Sequence, residues 1–399
     1  MNLLDSASLV VTPNGYKASK LYSIIPSDGS GDMTFARTGN TATRVNASGL
    51  IEPINANIPR LDYLGGGCPK LLLEPQRTNL LLRSEEFDNA SWLKDNGGAG
   101  SIPVVTANNA ISPDGTQDAD LIVFNLNGGT ASGDLSYVGQ TATTTVSTTY
   151  TFTIYAKTSD NSTKVMSLVN GNGVFTLITI TSSWQRFSIT YTASLTTSNI
   201  RLRLRGSASG EATSTSASIH IWGAQLEAGA YATSYIPTTT ASVTRNADSC
   251  TKTSISSLIG QTEGTIFVDV NYDSNKIDTN GVLVPLVLSQ STTNSEITLY
   301  KTGRVQATHR NSGTLTCNID LTSYGLTNSR HKIAFAYKLN DFVLYIDGVL
   351  AGSDTVGTVG AQDSISLKDT TFPSIGLTNS VALWKTRLTN QELVTLTSL

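Results

Sequence analysis

Carboxylates are the first residues in this chain of 399 whose types and spacing could do chemistry. Glu85 and Glu86 are adjacent, Asp114, Asp118 and Asp120 fall within SPDGTQDADLI, and Asp269 stands in FVDVNYD. Glycoside hydrolysis needs two carboxyl groups about 5–9.5 Å apart. Neighbours in a strand point to opposite faces, so Glu85 and Glu86 fit that role poorly. With 30 acidic residues in the chain, such neighbours arise by chance, and no enzyme is expected. Asp114, Asp118 and Asp120 are hard oxygen donors of the kind calcium takes. Asp114 between Pro113 and Gly115 is equally a turn signal, its side chain capping its own backbone. The spacing lacks the EF-hand pattern and its closing Glu. His220, His309 and His331 share no metal-type spacing with one another or with a cysteine. No phosphate-binding loop, nucleophile elbow or zinc-protease motif occurs. The sequence therefore nominates no catalytic residue and no cofactor.

Ring faces are the other chemistry on offer, since Trp and Tyr can stack on sugars. Trp184, Trp222 and Trp384 keep apolar company and are expected in the core. Trp92, in the polar DNASWLK, and Tyr137, Tyr231 and Tyr235, which border loops, are expected to line a glycan groove. In IRLRLRG, period-two spacing puts Arg201, Arg203 and Arg205 on one strand face and Ile200, Leu202 and Leu204 on the other. The arginine side reads as a solvent face. Glu74 and Arg77 flank Pro75; a half-buried pair there would need partners. An ion pair or backbone clamp is the leading expectation, with ligand binding as the rival.

Composition narrows the class. Charged residues make up 14%, net charge is −3, and no Lys/Arg cluster appears, so a nucleic-acid partner is not expected. Cys68, Cys250 and Cys317 are far apart and odd in number, which suggests free thiols. No stretch approaches the roughly 18–20 apolar residues of a membrane span, and Met1–Pro13 lacks the basic start of an export signal.

The elements that must position these residues are strands. TYTFTIYAKT alternates Tyr150, Phe152, Ile154 and Ala156 on one face. WQRFSITYTA, TIFVDVNY, HKIAFAYKL and DFVLYIDGVLAG continue the pattern, with turns at Asn340-Asp341 and Asp347-Gly348. Another turn is expected at Asn46–Gly49, inside TATRVNASGLIE. LTNQELVTLTSL is the one helical signal, with Thr389 and Glu392 at capping-box spacing. The chain is expected to be all-β. Punctuation divides it into an N-terminal segment 1–70, a first sandwich 71–240 and a second sandwich 241–399 with a short C-terminal helix.

LLLEPQRTNLLLRSEEFDNASW and IHIWGAQLEAGAYATSYIPT resemble the entry and exit of a jelly roll of the carbohydrate-binding-module type, found in tailed-bacteriophage structural proteins. FARTGNTATRVNASGLIEPINANIPRLDY resembles the N-terminal part of the same phage proteins. SLIGQTEGTIFVDV, RHKIAFAYKLNDFVLYIDGVLAGSDT and VALWKTRLTNQELVTL resemble a concanavalin A-like or laminin-G-like sandwich. The resemblance implies a virion protein, made in the host cytoplasm and released by lysis. It implies attachment to other virion proteins through 1–70, contact with host-surface glycans and a homotrimer. Structural calcium, which such modules often hold, is implied on this ground alone. A capsid decoration protein or head fibre, and a polysaccharide depolymerase, are the alternatives.

Overall fold

The computed structural model describes residues 3–39, 41–278, 281–368 and 374–399. Two sandwiches account for nearly all of them, and the first is interposed within the second.

The inserted sandwich has two five-stranded sheets. The front sheet runs Phe175–Ile180, Lys164–Val169, Thr197–Arg205, Leu135–Thr143, Leu93–Gly97; the back sheet runs Ser101–Ala110, Ala119–Asn125, Ser216–Ala228, Thr149–Thr158, Gln185–Thr192. Period-two alternation sends Phe152, Ile154, Ile200, Leu202, Ile219 and Ile221 into one core between the sheets. The strand Ser216–Ala228 is central, flanked by Ala119–Asn125 and Thr149–Thr158.

The second sandwich is a sixteen-stranded sheet among the described residues, folded over on itself. Its ends meet where Gly352 lies so close to Ile319 that a β-carbon there would fall 2.6 Å from the Ile319 side chain. The strand Glu263–Asn271 is buried almost throughout because both its faces are covered. Ile266, Val268 and Val270 enter the main core, while Phe267 meets a second cluster roofed by the helix Asn390–Thr397. That helix carries the expected capping box, Thr389 with Glu392, and buries Leu393. Asn340, Asp347 and Gly348 all have positive φ at the two expected hairpin turns.

Residues 1–70 are not a separate segment, which corrects the expected division. Leu9, Val10 and Val11 pair with Leu383, Ala382 and Val381. Lys20–Ile25 and Met33–Ala36 continue the sheet to Ser249–Lys252, and Leu71–Leu73 pairs with Gly376–Thr378. Among the described strands of this stretch, the hairpin Ala42–Val45/Ile51–Ile54, turning at Asn46–Gly49, alone leaves this sheet. It packs Ile51 beside Trp222 and Tyr235 of the insert. Local alternation identifies strands but not their partners, and the partners of Leu9–Val11 lie some 375 positions away.

Two short strands, Arg77–Asn79 and Val243–Arg245, pair antiparallel and carry the chain into and out of the insert. Beside them lies a fully buried charge cluster. Arg60 Nη1 donates to Glu74 Oε2 (2.6 Å) and its Nη2 donates to Asp248. Arg245 pairs with Glu74 (2.8 Å) and Arg37 with Asp248 (3.2 Å). Ser234 N–H and Oγ–H both donate to Glu74. Burial pushes the Glu74 carboxyl up, but Arg245, Arg60 and Ser234 outweigh it and hold it well below the usual range.

Glu74 is therefore clamped, as expected, though not by Arg77. Arg77 instead lies over the Tyr231 ring, 5.4 Å from its centroid, with longer ion contacts to Glu227 (3.9 Å) and Asp278 (3.7 Å).

Candidate functional site

The four rings expected to line a groove are all buried. Trp92 tilts against Phe87 and donates its indole N–H to Arg83 O. Tyr231 is sealed under Arg77. Tyr235 packs on Trp222 at 4.5 Å and its hydroxyl donates to Glu85 (2.8 Å). Tyr137 is covered by Arg201 and donates to Asp95 (2.7 Å). Each ring turns inward because its polar atom finds a partner in the fold, and for Tyr137 and Tyr235 that partner is distant in sequence. Trp184, expected in the core, is the half-exposed tryptophan, with Lys157 Nζ 5.0 Å from its ring.

The three aspartates are likewise not gathered. Asp114 caps its own turn, accepting from Ser112 Oγ and Thr116 N. Asp120 is buried and accepts from Phe87 N and Asn108 N, burial raising its pKa despite those bonds. Asp118 keeps one buried oxygen without a donor. Among the described residues no group of three or more His, Cys, Asp or Glu is placed to hold a metal ion.

Glu85 is the most perturbed carboxyl nearby. Burial pushes it up to about 7, against the bond from Tyr235, and Asp118, Asp114 and Glu86 add to the rise. Asp269 is occupied by Arg330 (2.8 Å) and Asn379 (3.0 Å). His309 is an interior residue: its Nε2 accepts from Gly360 N (3.0 Å), its Nδ1 lies 2.7 Å from Ser295 Oγ, and burial pulls it down to about 4. Cys250 and Cys317 are buried free thiols and Cys68 an exposed one.

What the fold does open is a groove of about 600 Å³ on the inserted sandwich. It forms because the edge strand Leu93–Gly97 pairs with Leu135–Gly139 only, leaving Thr141 and Thr143 beyond its end. The opposite wall is the chain at Leu80–Leu82. Gln140 holds it there by imitating a strand ladder: its Oε1 accepts from Leu82 N (2.7 Å) and its Nε2 donates to Leu82 O (2.9 Å). Leu82, Leu93, Ser91, Thr141, Thr143 and Asn199 line the groove, and no lining residue is charged. Its floor at Gly139 must be glycine, since a β-carbon would meet Ile200 O at 2.6 Å and Arg201 Cγ at 2.8 Å.

Arg201 borders this groove over Gly139. The expected solvent face of IRLRLRG is thus divided. Arg203 and Arg205 are clamped by buried Glu211, at 3.0 Å from Arg203 Nε and 2.6 Å from Arg205 Nη1. The groove residues escaped sequence reasoning because Thr, Ser, Leu and Asn carry no motif. The alternating arginines were the one signal pointing to this sheet.

No family model matches the chain, and no curated protein does. Solved structures similar to parts of it include the Ruminococcus gnavus IT-sialidase CBM40 bound to α2,3-sialyllactose. That match has 14% identity over 35% of this chain and 84% of the other, with a TM-score of 0.29. The Bacillus licheniformis β-glucanase matches at 16% identity over 35% and 72%, TM-score 0.28. The Trypanosoma rangeli sialidase matches at 15% identity over 37% and 25%, TM-score 0.29. These likenesses are too remote to assign a ligand. The chain's own sheets establish that it is an all-β sandwich protein.

Proposed function

We propose that this chain is a glycan-binding structural protein, with the groove beside Thr141 as its binding site. The uncharged lining carries the reading. Aliphatic patches from Leu82 and Leu93 alternate with the hydroxyls of Ser91, Thr141 and Thr143 and the amide of Asn199. That mixture suits a ligand whose rings present both C–H faces and hydroxyls. No acidic pair lines the groove, which supports binding without hydrolysis.

In finer terms we read the chain as a bacteriophage fibre or spike component that contacts host-surface glycan. The resemblance of its segments to phage structural proteins supports this. With the strands of 9–73 built into the sandwich, we assign attachment to a particle to a face of the folded protein. A homotrimer would convert weak single sites into useful avidity.

The test is a glycan array with the full chain and with Thr141→Trp, which fills the groove. Binding by the first and its loss in the second are expected; silence of the full chain across the array overturns the reading. Capsid decoration is the competing assignment, and density for this chain on capsomers, not at a tail tip, would favour it. Release of reducing sugar from host capsule would favour a depolymerase.

A further inference from the structure

Arg201 differs from the two arginines that share its face. Arg203 and Arg205 spend their guanidinium groups on Glu211, whereas Arg201 enters none of the ion pairs found among the described residues. It is nevertheless fixed in place. Its Nε donates to Asn199 Oδ1 (3.1 Å), and its guanidinium lies 4.6 Å from the centroid of the Tyr137 ring. Tyr137 is itself pinned, its hydroxyl donating to Asp95 (2.7 Å). Asn199 and Gly139, which meet Arg201, both line the groove. Stacking and the Nε bond immobilise the plane, and among the described residues no hydrogen bond engages the two terminal nitrogens. A planar fork held in this way is the donor arrangement that recognises carboxylate and other oxyanions.

We propose that the groove takes an acidic saccharide, its carboxylate or sulfate received by the terminal nitrogens of Arg201 while the rest of the sugar lies along Thr141 and Leu93. This rests on the glycan-binding reading above and adds the ligand's charge class. The neutral lining supplies contact common to many sugars, and Arg201 supplies the discrimination. Asp95 is the nearby opposing charge. It sits beyond the Tyr137 hydroxyl, where it orients the ring that carries Arg201; it feels the guanidinium's charge but forms no ion pair with it.

The experiment is calorimetric titration of the full chain with matched oligosaccharides at about 0.05 M salt. De-esterified galacturonan is compared with its fully methyl-esterified form, and a sulfated galactan with the unsulfated one. At least tenfold tighter binding of one acidic member than of its neutral partner is expected, carboxylate and sulfate being distinguished by which pair responds. Arg201→Gln should bring acidic and neutral members to within twofold of each other, and Arg201→Lys should restore only part of the preference. Equal binding of acidic and neutral members overturns this inference but leaves the glycan-binding reading standing. Absence of all binding overturns both. Arg201 is half-exposed, so unchanged thermal melting of Arg201→Gln is the check that the variant stays folded.

Discussion

Glu74 holds its place only because positive charge surrounds it. Arg60, Arg245 and the two Ser234 donors satisfy its oxygens, and both guanidinium groups are fully buried. Glu74→Gln should cost about 3–5 kcal/mol in denaturant unfolding, because it strands the buried Arg245 guanidinium and leaves Arg60 only Asp248. The paired change Glu74→Met with Arg245→Met should recover part of that loss. Acid reaches the same clamp: its carboxyl is held low, so its contribution is present above the ordinary carboxylate range and is lost as pH falls below it.

His309 acts in a neighbouring window. Folding keeps it neutral down to about pH 4, whereas the unfolded chain takes up a proton near 6.5. Its contribution is complete above pH 6.5 and declines by about 3 kcal/mol as pH falls to 4. His309→Gln should flatten that part of the stability-against-pH curve. Glu85 runs the other way. Burial raises it to about 7, so stability declines as pH climbs from 4.5 through 7, and Glu85→Gln should gain on wild type at pH 8 while matching it at pH 4.

At the scale of elements, the strand periods were legible. Tyr150, Phe152 and Ile154 alternate into the core, the hairpin turns fall at Asn340 and Asp347, and the capping box at Thr389 forms. Pairing was not legible, because alternation fixes which face of a strand is apolar and says nothing about its neighbour. Leu9–Lys17 therefore read as part of an appendage when it is interior to a sheet. The site was least legible of all. Trp92 reads as exposed from its polar flanks and Tyr137 from a bordering loop, yet Arg83 O and Asp95 hold both rings in place.

The pairing makes a prediction about fragments. Residues 80–240 should fold alone with a single cooperative transition by circular dichroism. Residues 71–399 should not yield a stable second sandwich, since they lack the strands that pair with Gly376–Trp384 and Ser249–Lys252. A well-dispersed NMR spectrum of the second sandwich in that fragment would contradict the topology. Within the full chain, Leu9→Ala should cost about 2–5 kcal/mol, as for other fully buried leucines.

For the whole molecule, two features fix how the sandwiches sit on each other. The chain crosses between them twice through one antiparallel ribbon, and the Ala42–Ile54 hairpin reaches from the second sandwich onto the first. The buried charge cluster closes the seam with residues drawn from both crossings. Limited proteolysis should consequently leave the junction at 74–79 and 243–248 uncut at enzyme levels that nick exposed loops. If the proposed trimer forms, light scattering should give three times 42.3 kDa; a monomer at micromolar concentration would remove avidity from the account. No helix among the described residues is long and apolar enough to cross a membrane.

The partnership of Leu9–Val11 with Val381–Leu383 has a consequence during synthesis. Ser8 and Leu383, which share a hydrogen bond, are 375 positions apart. At 5–20 residues per second the ribosome needs roughly 20–75 s to release the second after the first. Late in that interval the strand Leu9–Lys17 has its hairpin partner Lys20–Ile25 on one edge but nothing on the other, while the insert, complete once residue 240 is out, has everything it needs. The nascent chain thus carries a finished domain flanked by an unfinished one, and a stall late in translation would expose apolar strand edges to every other polysome product nearby.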